Sequence, residues 1–277
     1  MGNSSMNGDT YKPILRWAGG KNWLLKDLHR FAPNNYNNYH EPFLGGGSVF
    51  FHLKPKGRAY LSDTNQDLIN AFCQIRDNVE EVISHLEKYE NTKEEYYRVR
   101  DTKYRTLTKK AAQFIYLNRT CFNGIYRVNL KGKYNVPYGF KQYKELFEFE
   151  RYRAASEQLQ KVSIQCFDFE ESLKNVGEGD LVFLDPPYIV NHENNGFVKY
   201  NEKLFSWEDQ KRLASYITQI KEKGAFYILT NARHKSIREL FGDLDKPHSI
   251  LRASVIGGRN AERGQIGEYI FTNSKLL

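Results

Sequence analysis

Cysteine is scarce in this chain. Cys73, Cys121 and Cys166 stand far apart and form no C-x-x-C pair. That argues against a disulfide framework or a cysteine-held zinc, and for a reducing compartment. Seven histidines are present, but none sits in an H-x-x-x-H or similar ligand spacing, so no metal is expected among the cofactors. No apolar run approaches the roughly 20 residues that span a bilayer, and no leader-like segment precedes the fold. The expectation is a cytoplasmic protein with no membrane partner. The first ten residues are rich in Gly, Ser and Asn without periodicity, and are expected to form a disordered arm.

Acidic residues are missing from one stretch in particular. From Arg98 to Lys144 there are twelve basic side chains and a single acid, Asp101, a local charge of +11 in a chain whose net charge is +8. All the excess positive charge therefore lies in one segment, and a polyanion partner is its natural reading. At 277 residues the chain is long enough for one large α/β domain with an insertion. Aromatic content is 14%, which serves stacking surfaces and ordinary cores alike.

Gly179 to Leu184 reads as a short, fully buried strand entered from a Gly-Asp turn, and it runs into Asp185-Pro186-Pro187-Tyr188. Two prolines force a stiff, extended exit. Asp185 is then held at the strand's C-terminal end, the Pro186 carbonyl has no donor beside it, and Tyr188 adds a flat face. Two acceptors beside a stacking plate suit a planar ring with an exocyclic amine, such as adenine. Taken alone, the tetrapeptide is equally compatible with a rigid strand exit.

Two glycine turns precede it. Arg16-Trp17-Ala18-Gly19-Gly20-Lys21 predicts a turn into a helix with Trp23, Leu24, Leu25 and Leu28 on its apolar face. Its exposed first N–H groups and Lys21 would attract an anion. Tyr39 to Ser48 predicts a strand, a glycine turn at Gly45-Gly46-Gly47 and a helix to Leu53. This is the first turn of a nucleotide-binding α/β unit, but not the dinucleotide fingerprint, since Phe50 stands where the third glycine would fall. Arg58 to Asp63 predicts a second strand ending in an acid, spaced to accept from both hydroxyls of a ribose. Asn65 is available to cap the following helix in its place.

From Asn65 to Lys161 the pattern is helical and basic. Leu68, Ile69, Phe72 and Ile75, then Val79, Val82, Ile83 and Leu86, make one apolar face. Ala111 to Asn118 predicts another helix. The stretch from Asn118 to Gly139 interleaves aromatic and basic residues, with a hairpin signal at Lys131-Gly132-Lys133, and suits groove contacts and base stacking. After it come strands over Ser163 to Phe167, Ala225 to Thr230 and Glu268 to Thr272, and a helix over Trp207 to Lys223. Gly196 to Tyr200 is a candidate lid. Ile256 to Gly264, with two arginines, fits phosphate contact and a solvated loop equally. The sum is α/β, a helical basic insertion, then α/β again. The expected division is a catalytic part over 11–64 and 162–277, and a recognition part over 65–161 with its hairpin at 118–139.

Four of these motifs in this order resemble the DNA adenine-N6 methyltransferase family: Arg16 to Lys21, Glu41 to Ser48, Asp63, and Asp185 to Tyr188. The resemblance implies a Rossmann-like sheet and S-adenosyl-L-methionine as cofactor. It implies a cofactor site lined by Trp17, Lys21, Phe43, Gly45, Gly47, Asp63, Phe167 and Asp185, with Asp185, Pro186 and Tyr188 catalytic. The stretch from Asn118 to Gly139 is similar to the recognition hairpin of the branch acting on GATC. By that likeness Arg127 reads a base edge, Phe122 and Asn123 fill the space near the flipped base, Ile125 is a further DNA-binding residue, and Pro137 meets a thymine methyl. Arg16 stands where a lysine often occurs, and either can bond guanine. The partner implied is double-stranded DNA, bound by a monomer; a cognate restriction nuclease acting separately is compatible with this. Gly257 to Gly264 matches the family less well. Methylation of RNA or of a protein amide, and a DNA-binding regulator on an inactive cofactor fold, are the competing readings.

Overall fold

A computed structural model describes residues 13–129, 131–188, 205–253 and 265–275. The N-terminal arm, the candidate lid at Gly196 to Tyr200 and the arginine loop at Ile256 to Gly264 lie outside the described residues. The chain forms two compact units. One comprises Trp23–Leu44, Pro55–Phe72 and Lys161–Leu277; the other comprises the described residues of Met1–Asn22 together with Gly45–Lys54 and Cys73–Gln160.

The first of these units is built on a seven-stranded sheet. Its strands are β1 (Tyr39–Glu41), β2 (Ala59–Asp63), β3 (Val162–Cys166), β4 (Leu181–Leu184), β5 (Phe226–Ala232), β6 (His248–Ala253) and β7 (Gln265–Thr272). They lie in the order β3-β2-β1-β4-β5-β7-β6. The first five run parallel, and β7 returns antiparallel beside β5 and β6. The chain winds outward from β1 to β3 on one side, then resumes at β4 on the other. The order therefore reverses at the β1–β4 junction, where open α/β sheets bind their ligands. Every residue of β4, Leu-Val-Phe-Leu, is buried, as a strand covered on both faces demands. The helix Trp207–Glu222 covers it with Leu213, Tyr216, Ile217 and Ile220, in one core with Val182, Leu184, Tyr227, Leu229 and Phe271. A capping box at Ser206 and Asp209 starts that helix.

β1 is short and carries polar side chains into the sheet's centre, so each needs an internal partner. The Tyr39 hydroxyl donates to Glu41 Oε2 at 2.8 Å. His40 Nε2 lies 2.8 Å from Asp180 Oδ2, and its ring stacks on Tyr60 at 4.8 Å. Asp180 also accepts from the Asn38 backbone N–H, the Asn38 amide and the Gly177 N–H. One buried carboxylate thus closes the entries to β1 and β4 together.

The second unit is helical. It contains Val79–Leu86, Lys93–Asp101, Leu107–Thr120 and Phe149–Leu159, with the short helix Ser48–Leu53. Buried tyrosines hold it: the hydroxyls of Tyr96, Tyr116 and Tyr138 donate to the carbonyls of Val136, Glu90 and Asn91 at 2.7–2.8 Å. Each ring fills core volume while its polar end satisfies an irregular backbone segment.

Some expectations are corrected. The stretch from Trp23 to Leu28 forms successive turns and a 3-10 segment, Leu28–Arg30, and not an α-helix. Leu24, Leu25 and Leu28 are buried all the same, so the apolar spacing reflects burial without the helix. Lys21 is likewise buried, its ammonium donating to the Gly19 carbonyl at 2.6 Å, and not a solvent-facing charge at a helix start. The apolar face from Leu68 to Leu86 is divided at Asn78 into two helices, Gln66–Asp77 and Val79–Leu86. Asn65 does cap the first, accepting from the N–H groups of Asp67 and Leu68.

Burial lowers the pKa of His40 from its usual 6.5, against the raising pull of Asp180. Folding therefore favours the neutral ring, and the unfolded chain binds more protons below about pH 6.5. This contribution is present above that pH and is lost as the pH falls through and below it. Urea unfolding midpoints are expected to drop between pH 7 and pH 5, and His40→Gln is expected to flatten that slope.

Candidate active site and nucleic-acid interface

In the sheet unit, the parallel strands β1 to β4 deliver four predicted residues to one edge. Phe43 follows β1, Asp63 ends β2, Phe167 follows β3 and Asp185 follows β4. Phe43 is partly buried, stacked on Phe169 at 5.3 Å and edge-on to Phe205 at 5.6 Å. Asp63 is half-buried, and its Oδ1 accepts from the Asn65 N–H at 2.9 Å. This fixes the carboxylate at the end of β2. Phe167 is half-buried, with the Lys174 ammonium 5.1 Å above its ring.

Asp185 is half-buried beside a buried Pro186. The Thr230 hydroxyl donates to Asp185 Oδ1 at 2.8 Å. The register explains the contact: Leu184 pairs with Leu229, so the next residue of each strand falls level. The Tyr188 hydroxyl donates to Glu268 Oε2, also at 2.8 Å. Burial, with the negative charges of Asp185 and Glu268, pushes the Tyr188 phenol far above its usual pKa, so it stays a neutral donor. Neither Thr230 nor Glu268 was singled out by the sequence pattern. Their strands could be read there, but not which strands would be neighbours.

In the helical unit, Trp17 is half-buried, stacked on Tyr126 at 5.7 Å and tilted against Phe114 at 6.4 Å. Gly45 takes φ +47°, and a Cβ there would come within 2.7 Å of the Trp17 ring. Gly47, at φ +68°, is the left-handed residue that starts the helix Ser48–Leu53. These glycines admit the tryptophan and turn the chain, as only residues without a Cβ do readily.

The recognition stretch is a compact aromatic loop. Arg16 is joined to it through Asn118, whose amide pairs with both the N–H and the C=O of Arg16 at 2.8 and 2.7 Å. Cys121 bridges Tyr138 and Val128 bridges Tyr134, so the two limbs run antiparallel. The turn at Gly132 closes with Gly132 N–H to Asn129 C=O at 2.9 Å, as the hairpin signal predicts. The Phe122 N–H donates to the Pro137 carbonyl, which brings these two exposed residues together. Phe122 is 51% exposed, a large apolar side chain offered to solvent. Asn123 sits beside it at φ 56°, and Ile125 is half-buried. Arg127 is exposed, its guanidinium held by Asn135 Oδ1 at 2.8 Å.

Nearby, the Tyr143 ring carries three cations, Arg119 at 4.2 Å, Lys141 at 5.3 Å and Arg16 at 6.0 Å. Arg16 and Arg119, together with partial burial, lower the pKa of Lys141. Crowded like charges of this kind are relieved by an incoming anion. Lys103, Arg105, Lys109 and Lys110 are exposed on the same unit. Among the described residues, no group of His, Cys, Asp and Glu is arranged to hold a metal, and no helix is long and apolar enough to cross a membrane.

The D12 class N6 adenine-specific DNA methyltransferase family matches this chain over residues 17–255. The chain is 38% identical to the type II methyltransferase M1.LlaDCHI of Lactococcus lactis subsp. cremoris, with 95% of each covered. It is 36% identical to the type II methyltransferase M.MjaIII of Methanocaldococcus jannaschii, covering 87% of this chain and 90% of that protein. It is 30% identical to the DNA adenine methylase of Escherichia coli K12, with 94% of each covered.

A methyl at position 45 meets both a left-handed backbone and the Trp17 ring. Gly45→Ala is expected to destabilise the protein by about 1–3 kcal/mol. The check is a lower thermal midpoint together with a change in tryptophan emission.

Proposed function

The chain belongs to the D12-class N6 adenine-specific DNA methyltransferases, and from that premise we propose that it methylates adenine N6 within GATC in duplex DNA. The carrying observation is Asp185-Pro186-Pro187-Tyr188 at the C-terminal end of β4, beside the reversal in strand order, with its carboxylate oriented by Thr230. The GATC reading rests on the recognition stretch from Asn118 to Gly139 and on relatives whose printed names are DNA adenine methylase. In this reading the helical unit binds DNA and the sheet unit performs the transfer.

The residues present fit S-adenosylmethionine. Asp63 is a carboxylate fixed at a strand end, suited to ribose hydroxyls. Gly45 lets the Trp17 ring pack against the backbone, where a Cβ would meet it at 2.7 Å, and so sets the position of that aromatic face. Trp17, Lys21, Phe43, Gly45, Gly47, Asp63, Phe167 and Asp185 are the residues proposed to hold the cofactor. When bound, it supplies an electrophilic methyl on a sulfonium, whose carbon–sulfur bond breaks to leave a neutral thioether.

Asp185 and the Pro186 carbonyl accept the two N–H groups of adenine's exocyclic amine and turn its lone pair outward. The Tyr188 ring supports the base. After the nitrogen–carbon bond forms, the proton that N6 sheds is taken up at the Asp185 carboxylate and passes to solvent. Positioning and charge supply the acceleration, with no covalent enzyme intermediate. The target base must leave the helix, at a cost of a few kcal/mol in lost stacking. Phe122 and Asn123 are proposed to fill the space near the flipped base, and Ile125 to contact the DNA. Arg16 and Arg127 read base edges, and Pro137 contacts a thymine methyl. The exposed lysines and arginines supply a salt-sensitive hold on phosphates.

Asp185→Ala is expected to abolish transfer of tritium-labelled methyl to plasmid DNA from a methylase-free host, while DNA affinity by fluorescence anisotropy stays at the wild-type value. Turnover at the wild-type rate would refute this role for Asp185. Sequencing of adenine methylation in that plasmid tests the GATC assignment directly.

A further inference from the structure

We infer that Thr230 on β5 and Glu268 on β7 are positioning residues that aim Asp185 and Tyr188. This inference rests on the methyl-transfer reading and extends it to two side chains outside the tetrapeptide. The strand exit alone does not fix either group. The prolines stiffen the backbone, but the Asp185 carboxylate can still rotate about its side-chain bonds, and the Tyr188 ring can still swing about its own.

The sheet removes both freedoms. Thr230 is fully buried, and its hydroxyl donates to Asp185 Oδ1 at 2.8 Å. Glu268 is also fully buried and accepts the Tyr188 hydroxyl at 2.8 Å. Both anchors come from the sheet interior, where strand pairing fixes the backbone: Thr230 pairs with Ile270 and Ala232 pairs with Glu268. Two adjacent antiparallel strands thus present one donor and one acceptor to the two ends of the same tetrapeptide. The chemistry of each is matched to its target. A hydroxyl donates to a carboxylate that must stay an acceptor for an amine; a carboxylate accepts from a phenol whose ring must lie flat against a base. With Oδ1 engaged by Thr230, the carboxylate plane is set.

The same network continues inward. Asn231, also buried, donates to Gln210 Oε1 at 3.0 Å and accepts from the Ala232 N–H. The strand bearing Thr230 is therefore tied to the covering helix one residue beyond the anchor. A buried carboxylate such as Glu268 carries a desolvation penalty that an apolar residue at that position would avoid, so its presence calls for a positional role.

The test measures methyl transfer from tritiated S-adenosylmethionine to unmethylated plasmid DNA by the full chain and its variants. Thr230→Val keeps shape and removes the donor. It is expected to lower kcat about 10- to 100-fold, the scale for misplaced reacting groups, with the thermal midpoint unmoved. Thr230→Ser restores the donor and is expected to recover kcat. Tyr188→Phe and Glu268→Met, which removes the acceptor, are each expected to lower kcat, and the double variant to fall no further than the more impaired single, since both act through one bond. An active wild type with Thr230→Val at the wild-type kcat overturns the role of Thr230. So does a Thr230→Ser variant that stays impaired. Losses that multiply in the double variant overturn the role of Glu268. A wild-type chain that transfers no methyl group to any DNA overturns the methyltransferase reading, and this inference with it.

Discussion

In the proposed reading a single carboxylate, that of Asp185, must be both rigidly placed and chemically available, and several features of the sheet unit meet that requirement. The strand before it is wholly apolar and buried, which fixes its position. The two prolines after it prevent the chain from folding back. The strand order reverses beside it, the position at which open α/β sheets bind their ligands. Thr230 then sets its plane. Each of these constraints is ordinary; together they hold a carboxylate at a sheet edge.

The helical unit meets a different demand. Its surface has to carry like charges close together, and its loop has to present aromatic and polar side chains without collapsing onto them. Buried tyrosines answer the second demand, because each hydroxyl holds a loop carbonyl that a purely apolar core would leave unsatisfied. The first is met partly by Tyr143, whose ring face lies beside three cations. A polyanion is the partner that such crowding favours, and the local excess of positive charge between Arg98 and Lys144 agrees with it.

Much of this was legible in the chain itself. The motifs at Gly45 to Ser48, Asp63 and Asp185 to Tyr188 depend on local geometry, so their residue types announce their positions. The strands β2, β3, β5 and the helix Trp207–Glu222 followed from apolar runs and turn residues, and β1 from the glycine turn after it. The segment from Trp23 to Leu28 did not, because burial alone can space apolar residues as a helix does. The strand His248–Ala253 was not legible, since its residue types, His-Ser-Ile-Leu-Arg-Ala, show no clear apolar–polar alternation. Thr230 and Glu268 were invisible for a deeper reason. Their contacts to Asp185 and Tyr188 span 45 and 80 positions, and depend on which strands lie side by side.

Asp180 has an implication for how the chain comes to be folded. It closes hydrogen bonds to Asn38 and His40, partners that precede it by about 140 positions. β1 also needs β4 as its neighbour in the sheet. During synthesis, therefore, β1 emerges with the His40 ring and one backbone edge lacking their partners, and they stay so until the ribosome has passed the whole basic insertion. Pairings this remote in sequence close slowly, because the intervening loop must first be ordered. The insertion, rich in local helical contacts, can settle first. The sheet is then completed late, around a strand that was among the earliest to be made.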